Sequence, residues 1–338
     1  MPKSPRLKNQ KGFALILTLL VISMMVVVTL QFNRSVWSGL YGSSNLKEAT
    51  RLRLVARSGF ECAMMVLSED KEQNDVDTLR EPWAQSRELS LQSTALFEKG
   101  HFMVEISDLC GKIQINRLLD DKGGWRPAQK DLFQRFLLSK AFGLDSDEVS
   151  NLMDFIKDWL DPDEDITRFG AESGYYQGLE PPYACGNGPP ASPDRLTLIK
   201  GFSEELVYGT SEKKGIMPYL SVHGDGKINI NTAGPVVLQA LSTEMNEEMV
   251  RDMIAYREDP ANDLADPKWY QKVRGMDHIV FDADLLTTQS DYFEIRSTGI
   301  MGKMEQHLSV SVFREPGKPI QVLQWKAGPE NTNPEDTN

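Results

Sequence analysis

The sequence predicts an α+β chain in which one long N-terminal helix lies on a small antiparallel sheet, and a large all-α insert divides that sheet in sequence. Three observations predict it. An uncharged apolar run from Gly12 flows directly into an amphipathic stripe that reaches Leu67. Segments of strand character stand at 100–118 and again at 291–327. Helical patterning fills most of the chain between them. At 338 residues the chain is long enough for two domains and a sizeable core.

Charge and motif content narrow the function classes. The formal net charge of −12 repels a polyanion, so no nucleic-acid partner is expected. Cys62, Cys110 and Cys185 are too few and too scattered for a cysteine zinc site, and the odd number leaves at least one thiol unpaired within the chain. One disulfide is open to an exported chain, with no pair singled out. His101, His223, His278 and His307 are dispersed, and no nucleophile elbow, Walker loop or dinucleotide fingerprint occurs. No enzymatic activity is expected.

The N-terminus is the first element. Residues 1–11 carry Lys3, Arg6, Lys8 and Lys11 and no acid, and no charge follows from Gly12 through Asn33. As a helix this uncharged stretch is about 33 Å long, enough to cross a bilayer core. Its basic flank stays cytoplasmic and the C-terminal bulk lies outside. A cleaved secretory signal needs a shorter apolar run and a small-residue cleavage site after it, which WSGLYGSS at 37–44 supplies poorly. A plain signal anchor fits length and charge equally well. Beyond the apolar run, Leu52, Val55, Ala56, Gly59, Cys62, Ala63, Val66 and Leu67 recur at i, i+3, i+4, i+7, a continuous face for packing on a sheet.

Lys11-Gly12-Phe13, at the front edge of the run, resembles a type IV prepilin site, where a prepilin peptidase cuts after Gly and methylates the new Phe amine. An apolar half followed by an amphipathic half resembles a pilin spindle, and a membrane helix followed by an unrelated core helix has the same periodicity. Most pilin-like proteins carry Glu at the fifth mature residue, whereas this chain has Leu17. A carboxylate in lipid is costly without a partner amine, and a subunit at a filament tip has no neighbour above to supply one. The K-type minor pseudopilin of the type II (general) secretion system is the subunit that typically lacks this Glu, and the chain resembles that family from Gly12 to about 327. The resemblance implies a pilin-like fold whose sheet is interrupted by an α-domain.

The interior follows the same order. After a polar connection at 69–95, GHFMVEISDL (100–109) and GKIQINRL (111–118) read as two strands of a hairpin. A helical region extends to about 285. DYFEIRSTGI (291–300), QHLSVSVFRE (306–315) and IQVLQWKA (320–327) return to strand character, with Gly302 as a turn signal. GKIQINRL is echoed by GKININTA at 226–233, where Asn231-Thr232 offer N-caps and Pro235 a first helical position. Each copy delivers the chain into a helical lobe, and the K-type family carries similar segments. ININTAGPVVLQAL followed by EEMVRDMIAYRED also resembles a helix-hairpin-helix (SAM-like) module. The hairpin position here holds Glu244, Glu247 and Glu248 and no Gly, so the scaffold is expected without phosphate binding.

One segment concentrates charge. Asp158, Asp161, Asp163, Glu164 and Asp165 put five carboxylates in eight residues, followed by Gly170-Ala171-Glu172 and Tyr175-Tyr176. Alternating carboxylates in a tight loop suit Ca²⁺, which takes six to eight oxygens. The segment is not an EF-hand, since Gly at the sixth and Glu at the twelfth loop position are missing. Without a metal it reads as a solvated acidic loop at the unfavourable end of a helix dipole. K-type pseudopilins carry a similar segment and bind calcium there, which implies Asp158, Asp161, Asp163, Asp165 and Glu172 as ligands. Pro162 departs from the small residue often seen in the family.

The resemblance implies a prepilin leader at 1–12 and a transmembrane helix at 13–34. An amphipathic helix and first strands occupy 35–117, an α-helical insert 118–287, closing strands 288–328 and a polar, disordered tail 329–338. It implies a tip subunit of a periplasmic pseudopilus, anchored by a single pass in the inner membrane. Its implied partners are I-type and J-type minor pseudopilins, the prepilin peptidase and the inner-membrane secretion platform. The alternative is a signal-anchored periplasmic binding protein with a calcium-stabilised helical lobe.

Overall fold

The computed structural model describes residues 11–327. Residues 1–10 of the expected leader and the tail from 328 lie outside the described residues.

Helix α1 (Lys11–Gln73) runs for 63 residues, roughly 95 Å at 1.5 Å per residue. Its two halves have different surroundings. From Phe13 to Leu46 the large apolar side chains are exposed, whereas Leu52, Val55, Ala56, Phe60, Ala63 and Leu67 are buried. The face read from the sequence is the face that packs, with Phe60 added to it. Helix and sheet meet closely because glycine stands on both sides. A Cβ at Gly59 would collide with Ser297, Val104 and Phe102, and one at Gly299 with the carbonyl of Leu52. Ser297 Oγ donates to the Ala56 carbonyl at 2.6 Å in the same place.

The sheet is antiparallel and four-stranded, in the order β1 (His101–Asp108), β6 (Tyr292–Met301), β7 (Met304–Phe313), β8 (Gln321–Ala327). Gly302 turns β6 into β7 at φ 63°, a backbone conformation that glycine adopts without a Cβ penalty. Alternate residues Phe102, Val104, Ile106, Phe293 and Ile295 face α1 and are buried. The polar connection before β1 has a structural task. Ser90 in helix α2 (Arg87–Gln92) and Ser93 just beyond it reach the outer edge of β1. Ser93 Oγ accepts from the Phe102 N–H at 3.1 Å and donates to the Phe102 carbonyl at 2.9 Å, and Ser90 Oγ accepts from the Val104 N–H at 2.9 Å. Side chains thereby satisfy an edge that would otherwise expose unpaired backbone groups.

The expected hairpin of 100–109 with 111–118 does not form. β1 pairs with β6, and only Ile113–Gln114 (β2) is extended in the second segment, pairing in parallel with Leu220–Ser221 (β3). The inner edge of β1 is taken by the more distant strand. Gly111 passes so close to Thr232 that the chain is directed into the insert. The sequence echo has a structural counterpart. β4 (Ile228–Asn229) pairs in parallel with β5 (Leu286–Thr287), so positions 113–114 and 228–229 play the same part in the two copies.

The remaining helices are α3 (Pro127–Leu137), α4 (Ser146–Leu160), α5 (Ser173–Tyr176), α6 (Glu204–Tyr208), α7 (Pro235–Ala240) and α8 (Glu247–Glu258). α3 and α7, the first helix after each copy, both begin with Pro. Asn231 and Thr232 do not cap α7, whose N-cap is Gly234. Tertiary partners have claimed both: Asn231 accepts from Trp269 Nε1 at 2.7 Å, and Thr232 donates to Asp108 at 2.5 Å. One apolar core from Ile113 to Leu286 serves both lobes, and a second core lies between α1 and the sheet. Cys62, Cys110 and Cys185 are free thiols.

A buried polar joint connects the two cores. Asp108 Oδ2 accepts from Ser290 Oγ and Thr232 Oγ1, both at 2.5 Å, and from Asn229 Nδ2 at 3.3 Å, while Oδ1 accepts from the Cys110 N–H at 2.7 Å. Arg314 donates to Asp77, to Asp70 at 2.8 Å and to the Ser290 carbonyl at 2.9 Å. Burial pushes the Asp108 pKa up from 3.8 to about 6, against the hydrogen bonds from Ser290 and Thr232. Folded Asp108 therefore keeps its proton to a higher pH than in the unfolded chain. Its contribution to stability is full below the unfolded value of 3.8 and is lost as pH rises through about 6, on the order of 3 kcal/mol in all. Urea denaturation of the Asp108→Asn chain should show a flatter pH dependence between pH 4 and 7. A slope equal to that of the parent chain would clear Asp108 of this effect.

Candidate functional site

The acidic segment begins inside α4. Asp145 caps this helix in a reciprocal capping box with Glu148, which fixes its start and thus the phase of its last turn. That turn places Asp158 and Trp159 inward, and Asp161 is the C-cap, with extended backbone. Trp159 packs edge-to-face on Tyr176 at 5.0 Å, which folds the following loop back onto the helix.

The five residues singled out from the sequence take different positions. Asp161, Asp163 and Glu172 bring one carboxylate oxygen each within 4.8 Å of one another. Asp163 is exposed and the other two are buried; Asp158, fully buried, turns both oxygens toward the Thr167 N–H at 3.1 Å. Gly170 lies against it so closely that any Cβ there would strike the carboxylate. Asp165 is exposed and contributes its N–H, which donates to Asp163 Oδ1 at 2.8 Å. Glu164 was passed over in the sequence as a ligand, and the loop uses it as a tie. It accepts from Ser173 Oγ at 2.7 Å and Asn187 Nδ2 at 2.9 Å. Lys157, one turn before Asp161, was missed as well; its ammonium donates to Asp161 Oδ2 at 2.7 Å and to Thr167 Oγ1 at 2.9 Å. An i, i+4 Lys–Asp spacing is the signal that could have pointed to it.

The decisive feature is polar atoms without partners. Asp161 Oδ1 and both oxygens of Glu172 are buried without an N–H or O–H donor, and only the weakly donating Cys185 thiol reaches Glu172. Asp161 is 0% and Glu172 3% exposed. Burial, joined by the charges of Asp158 and Asp161, pushes the Glu172 pKa up to about 7. Burial also raises Asp161, outweighing Lys157 beside it. Carboxylates so arranged repel one another and forfeit solvation without return. The donor set is all oxygen and anionic, which fits a hard divalent cation. A second acidic group, Asp70, Asp77 and Glu81, shares the burial-raised carboxyls but leaves no buried oxygen without a partner. Arg314 forms ion pairs with both Asp70 and Asp77, and Glu81 accepts from Trp83 Nε1 at 2.6 Å and Asn74 Nδ2 at 2.7 Å.

The other candidate positions, Gly12 and Phe13, lie in the first turn of α1 (Lys11–Gln73). A Cβ at Gly12 would meet nothing within 4 Å, so packing does not require glycine there. Phe13 is 70% exposed. Among the described residues α1 is the one helix long and apolar enough to cross a membrane.

Comparison with known proteins agrees with this architecture. The family model "Type II secretion system (T2SS), protein K" matches residues 111–213, the part that holds the acidic loop. Type II secretion system protein K of Aeromonas hydrophila is 26% identical, over 96% of this chain and 100% of the relative. The protein K of Pseudomonas aeruginosa is 28% identical over 69% of this chain and 68% of its own length. Among solved structures, the GspK-GspI-GspJ complex from the enterotoxigenic Escherichia coli type 2 secretion system superposes with a TM-score of 0.68 at 18% identity. The match covers 85% of this chain and 99% of that one, a likeness of fold. The α+β pilin-like architecture, the apolar N-terminal helix and the full-length similarity point the same way: the chain is similar along almost its whole length to the K-type minor pseudopilins of type II secretion.

Proposed function

We propose that this chain is the tip subunit of a type II secretion pseudopilus, where it starts filament assembly together with I-type and J-type minor pseudopilins and supports protein export across the outer membrane. The observation that carries this reading is the division of α1. Its rear half is spent on the sheet, while the apolar side chains from Phe13 to Leu46 have no cover within the chain. A bilayer covers such a surface before assembly and neighbouring helices cover it in a filament. Leu17 in place of an acid suits a position with no subunit above it, and the complex of GspK with GspI and GspJ in a fold relative supports the choice of partners. The chain sits in the inner membrane with its N-terminus cytoplasmic and its bulk in the periplasm, in contact with the secretion platform.

Maturation follows from the same helix. The prepilin peptidase hydrolyses the Gly12–Phe13 bond and methylates the freed amine of Phe13. Glycine kept in a helix where packing does not demand it supports recognition by an enzyme, since glycine there costs about 1 kcal/mol relative to alanine. Intact-mass measurement of the membrane form should show residues 1–12 removed and one methyl group added, shifting the formal charge from −12 to −16 as Lys3, Arg6, Lys8 and Lys11 leave. Gly12→Leu should keep the full-length mass. Met1 retained by the parent chain in a host with the peptidase would overturn the pseudopilin reading and favour a plain signal anchor.

The acidic loop holds calcium in a structural role. Asp161, Asp163 and Glu172 are the ligands their geometry supports. Asp158 and Asp165 shape the loop through the Thr167 amide and Asp163. Bound calcium supplies the positive charge that lets the buried carboxylates of Asp161 and Glu172 remain ionised.

A further inference from the structure

We propose that Lys157 is a tethered counter-ion that competes with the divalent cation for Asp161, so that the chain sets the affinity of its own site. The inference rests on the calcium reading of the acidic loop. Lys157 lies one turn before Asp161 on α4, and its ammonium is 2.7 Å from Asp161 Oδ2, in a pair whose side chains are 20% and 0% exposed. Thr167 Oγ1, at 2.9 Å, holds the ammonium from the other side of the loop. It is thus fixed by the two segments that a bound cation would also draw together. It has no contact with Glu172 among its hydrogen bonds, and Glu172 is left with only the weak Cys185 thiol as a donor.

The charges define the competition. Asp158, Asp161, Asp163 and Glu172 carry four negative charges when ionised, and one ammonium offsets a single one of them. A divalent ion offsets two. Calcium binds carboxylate oxygen at about 2.3–2.6 Å, so an ion on either Asp161 oxygen, the free Oδ1 or the lysine-bound Oδ2, would lie within about 5–7 Å of the ammonium as placed. Repulsion between a divalent ion and a unit charge at that separation is several times thermal energy in a half-buried setting. The cation therefore binds as the ammonium leaves. The lysine stem is partly exposed, so the head group can swing to water without unpacking the helix. In the cation-free chain the same lysine holds α4 to the loop and spares Asp161 an unpaired buried charge.

Calcium titration by calorimetry of the full-length chain in detergent, with melting curves in calcium and in chelator, tests this. Lys157→Met keeps the length of the side chain and removes the charge. It should tighten calcium binding about tenfold and lower the melting temperature in chelator more than in calcium. Lys157→Arg should bind within about twofold of the parent, because the charge stays. Thr167→Val frees the ammonium and leaves all carboxylates in place, so it should tighten binding in the same direction by a smaller factor; it decides the matter if Lys157→Met fails to fold. Equal or weaker binding by the methionine and valine variants would overturn the proposal, leaving Lys157 as a residue that only orients Asp161. No calcium binding by the parent and by all three variants would instead overturn the calcium reading beneath it.

Discussion

Replacing Arg314 by methionine is expected to destabilise the full-length chain by about 3–5 kcal/mol, the range for breaking a buried ion pair from one side. Arg314 is 1% exposed at the end of β7, and it is held by four acceptors: Asp77, Asp70, and the carbonyls of Leu67 and Ser290. Its guanidinium also lies over the Phe293 ring at 4.5 Å. These contacts tie the end of α1, the following loop and the entry to β6 to one side chain. Asp77 is 2% exposed, and burial raises its pKa in spite of the guanidinium beside it. With the arginine gone, that carboxyl must take up a proton or stay buried without a cation. Arg314→Lys should recover only part of the loss, because an ammonium keeps the charge and not the planar fork. The second variant Asp77→Asn, combined with Arg314→Met, should cost less than Arg314→Met alone, as it removes the stranded charge. Denaturation followed by circular dichroism in detergent measures all four proteins. A loss below about 1 kcal/mol for Arg314→Met would show that the joint is a surface-like pair and that the insert is held by its apolar contacts alone.

Calcium should stabilise the chain by about 2.7 kcal/mol when the free ion is at a hundred times its dissociation constant, from mass action alone. Mg²⁺ should substitute poorly, since it demands a tighter octahedron and keeps its waters. Asp161→Ala should lower the melting temperature in calcium and change it less in chelator, where loss of the Lys157 pair is offset by relief of repulsion with Asp163 and Glu172. Asp165→Ala is the control within the same loop. Its carboxylate is exposed and only its N–H supports Asp163, so its response to calcium should match that of the parent chain. Coincident melting curves in calcium, magnesium and chelator would return the loop to a solvated acidic surface. The buried oxygens of Asp161 and Glu172, which lack an N–H or O–H donor, would then need another cation or protonation to account for them.

Local chemistry made much of this protein legible in its sequence. The apolar run at 13–30, the 3.6-residue stripe from Leu52 to Leu67 and the strand alternation in 291–327 are patterns in which neighbours along the chain share a fate. They marked the helical N-terminal region, the strands and the helical insert between them, while the continuity of α1 from Lys11 to Gln73 is a finding of the structure. The echo of 111–118 in 226–233 was legible too, because the same short motif does the same backbone task twice. Other features depend on partners far away in sequence. β1 pairs with a strand some 190 residues on rather than with its neighbour, since the chain beyond Gly111 is drawn into the insert. Asn231 and Thr232, good helix caps by type, serve Trp269 and Asp108 instead, because a buried donor or acceptor must be satisfied before a local preference counts. The acidic loop shows both levels in one site. Its composition left 158–172 between a solvated acidic loop and a cation site, and the family resemblance favoured the cation. Which carboxylates converge, that Asp158 turns to an amide, and that Lys157 reaches Asp161 were settled by burial and loop closure, which act on distances that no spacing along the chain records.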